Sequence, residues 1–108
     1  MAIDQTDTVD FVSVDGATGD LLLTISDHLA WEEEDAHLVL LQSKLNAYLR
    51  FIESGELFVK YPVAAGRNVV INLVSLFPLS QKATLFLERA KGAVQAAGFR
   101  LTFSLSSH

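Results

Sequence analysis

Leu38, Leu41, Leu45, Leu49 and Ile52 recur at steps of three and four residues, which places them on one side of a helix. The stripe commits residues 33–54 to an amphipathic helix about 30 Å long. At 100° per residue its apolar arc runs from Leu40 through Phe51, Lys44, His37, Tyr48, Leu41, Ile52 and Leu45 to Leu49. That is nearly half the circumference, and a face so broad needs another layer to cover it. Gly55 stands where helices commonly end in a left-handed residue.

The covering layer is legible on either side. Val9 to Val14 reads as a strand, "DGATGD" as a turn, and Leu21 to Ser26 as a second strand, together a hairpin. Asp15 and Asp20 of that turn resemble a calcium loop only superficially, because the alternating ligand spacing and the distal Glu are missing. Val69 to Phe77 carries apolar residues on both faces, broken by Asn72. This predicts a central strand covered on both sides. Ser80 is the expected N-cap of a second helix, with an alanine-rich face from Ala83 to Ala97 and Gly98 at its end. "FRLTFSLSS" then alternates, with Phe99, Leu101, Phe103 and Leu105 turned inward. "ELFVKYPVAAGR" fits either a short strand, Leu57 to Tyr61, or an extended loop stopped by Pro62.

The expected fold is therefore α+β: a two-layer mixed sheet of four strands (five if Leu57–Tyr61 is one) with two helices, in the order ββαβαβ. The last strand–helix–strand unit should cross over right-handed. At 108 residues the chain reads as one domain, 1–108, with residues 1–8 a loose N-terminal segment. A body of this size buries only about 60–65% of its unfolded surface. Half of its residues are apolar, more than such a core absorbs. Val70, Val74 and Leu76 would lie on the sheet face away from the helices, and a second copy would cover them. The expected partner is thus the chain itself, through the sheet face or the broad face of the first helix.

Charge divides unevenly. Residues 1–43 hold ten acids and neither Lys nor Arg, while residues 44–108 hold eight Lys or Arg against three Glu. The two parts sum to −5, an acidic chain whose halves can complement each other. Nucleic acid is not an expected partner: Lys82, Arg89, Lys91 and Arg100 are scattered, without interleaved aromatic residues. No apolar run approaches the roughly 18 residues that span a bilayer, and "MAIDQTDTVD" lacks the basic and apolar runs of a leader. A cytoplasmic location is expected. The absence of cysteine excludes disulfides, thiol nucleophiles and thiolate metal sites.

Chemistry concentrates in "SDHLAWEEEDAHLVLLQSK", residues 26–44. Glu33 and His37 are one turn apart on a helix, and Asp27 or His28 could join them as metal ligands in a metal-dependent hydrolase. The spacing is E-x-x-x-H, without the H-E-x-x-H of dedicated zinc helices. The plainer reading makes Glu32, Glu33, Glu34 and Asp35 the acidic first turn that a helix dipole favours. Asp27 then caps the preceding turn, and Trp31 lies over the helix entrance. His37, Lys44 and Tyr48, with Trp31 nearby, form a stripe that could line a pocket for a small anionic ligand. Alternatively, Lys44 snorkels along apolar neighbours to pair with an acid of the N-terminal half, and His37 sits partly buried at a subunit contact. No nucleophile elbow, P-loop or dinucleotide fingerprint occurs. No catalytic residue and no cofactor is assigned, and the expectation is a non-enzymatic interaction or accessory protein.

The segments "DFVSVD", "LLLTISDHLAW", "HLVLLQSKLNAYLRFIESGEL", "KYP" and "FLERAKGAVQAAGFRL" together resemble a small bacterial family catalogued only as a domain of unknown function. The resemblance covers about Val9 to Leu105. Its most specific part includes Leu41, Gln42, Lys44, Leu45, Asn46, Tyr48, Phe51, Ser54 and Gly55. It implies a compact bacterial α+β protein and carries over no functional residue.

Overall fold

A computed structural model describes residues 11–105. Two strands open it, β1 (Phe11–Val14) and β2 (Leu21–Asp27), and a single 3-10 turn (Trp31–Glu33) leads into α1 (Glu34–Glu53). The short helix α2 (Glu56–Lys60) and a second 3-10 turn (Pro62–Ala64) precede β3 (Val69–Ser75), α3 (Gln81–Ala96) and β4 (Arg100–Leu105). The expected start of the first strand at Val9, and the loose segment 1–8, fall outside the described residues.

The sheet runs β1-β2-β3-β4 in chain order. β1 is antiparallel to β2, while β2, β3 and β4 are mutually parallel, with Leu23 beside Ile71 and Ile71 beside Leu101. α1 and α3 touch, as they do when two successive crossovers moving the same way share one hand and lay their helices on one face. The inner face of β2 is Leu21, Leu23, Ile25 and Asp27, all buried, opposite Val69, Ile71, Leu73 and Ser75 of β3. α1 lays Leu41, Lys44, Leu45, Tyr48, Phe51 and Ile52 on this layer. The broad face of α1, one of the two surfaces expected to receive a second copy, is thus buried inside one chain.

The expected order holds except between the first long helix and the third strand. Leu57–Tyr61 does not form a fifth strand. β2 and β3 pair directly along their length, so no slot exists between them. Local bonds close a helical turn instead: the amides of Phe58 and Val59 donate to the Gly55 carbonyl, and that of Tyr61 to the Leu57 carbonyl. Leu57 anchors the turn in the core.

β3 is central, as its two-sided apolarity predicts, yet neither helix covers its outer face. Val70 is buried between its strand neighbours Leu22 and Arg100. Val74, also on that face, is half-buried. Its neighbours there are largely polar, Thr24, Ser26, Asn72, Thr102 and Ser104, with the Thr102 hydroxyl donating to Asn72 Oδ1 at 2.9 Å. Leu76 lies beyond the strand and is exposed. Burial of Val70 therefore requires no second copy.

The predicted punctuation is present. Ser80 caps α3 by accepting from the Ala83 amide. Gly55 (φ 84°) and Gly98 (φ 96°) follow α1 and α3 in the left-handed region, which only glycine enters without strain.

Candidate functional site

Asp27 is the last inward residue of β2, and alternation along the strand turns its side chain to the helix layer. His37 occupies the first full turn of α1, above it. The Nε2–H of His37 donates to Asp27 Oδ2 at 2.6 Å, with both residues buried. A carboxylate only accepts, so the network places the imidazole proton on Nε2. The other oxygen, Oδ1, accepts from the Leu29 amide at 3.1 Å. Asp27 thus caps the turn that carries the chain from sheet to helix and also grips the helix itself.

Trp31 stacks on the imidazole, with ring centroids 3.5 Å apart and planes inclined by 17°. His37 Nδ1 and Trp31 Nε1 are buried and lack a hydrogen-bond partner among the described residues. An unsatisfied buried polar atom costs about 1–3 kcal/mol, so two in one stacked pair mark a place where stability is not optimised. Beside them lies a cavity of about 270 Å³ bordered by Leu29, Ala30, Glu32, Glu33, His37 and Leu40. The site stands at the carboxyl ends of parallel strands, where open α/β sheets commonly place ligand sites.

Of the four metal candidates, the structure joins two. Asp27 and His37 meet as a hydrogen-bonded pair, whereas His28 and Glu33 are exposed. No group of three or more metal-ligating side chains forms among the described residues. The ligand stripe is also rearranged: Lys44 and Tyr48 are fully buried. The Lys44 ammonium lies 5.6 Å from the centre of the Tyr48 ring, and the Tyr48 hydroxyl donates to the Thr24 carbonyl at 2.9 Å. Lys44 does not snorkel to water, because the arc carrying it is pressed against the sheet. Trp31 reaches past the helix entrance to cover His37.

The sequence brought Asp27 to His37 as possible co-ligands of a metal; their direct hydrogen bond was not read, although the parity Leu21, Leu23, Ile25, Asp27 turns Asp27 inward. The two halves of the charge pattern also meet at Asp35 and Lys82, whose ammonium donates to Asp35 Oδ1 at 2.5 Å. The hydrogen bond and charge of Asp35 raise the Lys82 pKa above the ordinary lysine value. This pair is exposed.

Among the described residues no helix is long and apolar enough to cross a membrane. The model of one family, described as a family of unknown function (DUF6572), matches residues 1–107. No curated protein and no solved structure matches the chain.

Proposed function

The chain belongs to the family of unknown function DUF6572, and from that premise we propose that it is a non-enzymatic, homodimeric interaction protein of the bacterial cytoplasm. One observation carries the reading. Within six residues, Phe58, Val59, Tyr61 and Val63 present 40%, 80%, 39% and 52% of their surfaces to solvent. Concentrated exposed apolar surface of this kind marks association sites. α2 and the following 3-10 turn hold it outward because Leu57 and Ala64, at either end, are sunk in the core.

The occupant that fits is a second copy. A twofold contact sets the same patch against itself. Glu56 and Lys60 flank these side chains, paired at 3.3 Å and each more than half exposed. A twofold that sets Glu56 of one copy beside Lys60 of the other would exchange an acid for a base at the rim. A stable interface buries about 800 Å² per partner, so the apolar residues form its centre and the charges its edge. Sedimentation of Val59→Glu against the parent chain tests this. The parent is expected to sediment as a dimer and the variant as a folded monomer, because Val59 contributes little to the core. Unchanged dimerisation of the variant would move the interface elsewhere.

A second reading follows from the two unpartnered nitrogens. A small molecule whose hydroxyl donates to His37 Nδ1 and accepts from the Trp31 indole would satisfy both. Native mass spectrometry of gently purified protein tests this. A stoichiometric excess of hundreds of daltons, lost in His37→Leu, supports it; a bare polypeptide mass removes it.

A further inference from the structure

At the opposite end of the sheet, where β3 and β4 begin, lies a cavity of about 540 Å³, a volume typical of small-molecule sites. Lys91 of α3 and Arg100 of β4 both line it, and among the described residues no Asp or Glu does. Neither cation takes part in an ion pair or side-chain hydrogen bond among the described residues. Glu88, one turn before Lys91, lines a neighbouring cavity that Lys91 also borders, without forming an ion pair with it. The amides of Asn68 and Gln95 add neutral hydrogen-bonding groups, while Val70 and Phe99 supply apolar wall.

The turn between α3 and β4 shapes the floor. Gly98 and Phe99 donate their amides to the carbonyls of Gln95 and Val94 at 3.0 and 3.1 Å. These terminal carbonyls of α3 are therefore already engaged as acceptors. Two cations without carboxylate partners, beside an apolar wall, match one kind of ligand. We infer that this cavity binds a small organic anion, its carboxylate or phosphate between Lys91 and Arg100 and its apolar part against Val70 and Phe99. A guanidinium and an ammonium both donate to such oxygens, the guanidinium bidentately. The site is remote in the sheet from the Asp27–His37 pair and independent of the proposed dimer patch.

The test uses amide NMR spectra of the full chain titrated separately with benzoate, benzamide and inorganic phosphate. Benzoate is expected to shift the amides of Gly98, Arg100 and Leu101 saturably, and neutral benzamide to leave them in place. Phosphate, lacking an apolar part, should bind more weakly. Lys91→Met combined with Arg100→Gln should weaken benzoate binding at least about tenfold, a loss of roughly 1.4 kcal/mol. Each substitution alone should give an intermediate loss, which guards against a folding defect in the double variant. No saturable shift with benzoate would overturn the inference, as would equal binding of benzamide or benzoate binding unchanged in the double variant. Phosphate binding as tightly as benzoate would remove the organic part of it.

Discussion

Among the pairs the described residues form, two tie α1 to its surroundings. At one, His37 meets Asp27 from the end of β2; at the other, Asp35 meets Lys82 from the start of α3. Their separations are nearly equal, 2.6 and 2.5 Å. Their settings are opposite: the first pair has side-chain exposures of 2% and 0%, the second 57% and 84%. Distance alone would rank them together, but solvent separates them. Water competes for both members of the exposed pair and screens their attraction. In the interior, each member depends on the other for a polar contact that nothing else nearby replaces.

The largest effect expected from breaking this symmetry is at His37. His37→Leu leaves the Asp27 carboxylate buried with the Leu29 amide as its remaining protein donor, and should destabilise the fold by about 1–3 kcal/mol. Urea unfolding measures this directly. Replacing both members, Asp27→Leu with His37→Leu, removes the stranded charge and should recover part of the loss. It should not recover all, because the Leu29 amide loses its acceptor. A double variant no better than His37→Leu would show that the pair's value lies in the geometry it imposes rather than in charge compensation.

At the exposed pair, Lys82→Met should leave the urea midpoint unchanged within error. Its pH signature has a fixed sign. The folded-state pKa of Lys82 lies above the ordinary 10.5, so any stabilisation from the pair is fully present below that value. It is lost as pH rises through the higher folded-state pKa. Unfolding measured from neutral to strongly alkaline pH should therefore show any difference between parent and variant shrinking only at the alkaline end. A difference that grows with pH would contradict the assignment.

Much of the fold was readable from local pattern. The Leu38–Ile52 stripe, Ser80 as a cap, the terminal glycines and the alternation of Leu101 and Phe103 each depend on neighbours a few residues away. "ELFVK" was not readable, because the six residues between Gly55 and Pro62 are too few to show either a helical or a strand period. Its fate was decided by a long-range fact, the direct pairing of β2 with β3. The site was half legible for a similar reason. Asp27 as a turn cap is a contact two residues long; its grip on His37 spans ten and exists only once α1 lies over β2. The place of Lys44 inside the apolar arc was legible, whereas the route to water expected of its ammonium is closed by the sheet beneath α1.

The most direct test of the proposed association uses the absence of cysteine from the chain, which makes any introduced thiol unique. Val59→Cys places one at the most exposed apolar side chain of the patch; Val39→Cys, at a 60% exposed position on α1, serves as the comparison. Under mild oxidation the account predicts rapid, nearly complete conversion of the Val59→Cys variant to a covalent dimer, with Val39→Cys remaining mostly monomeric on a denaturing gel. Failure of Val59→Cys to cross-link, or equal cross-linking of both variants, would contradict a twofold interface centred on residues 58–63.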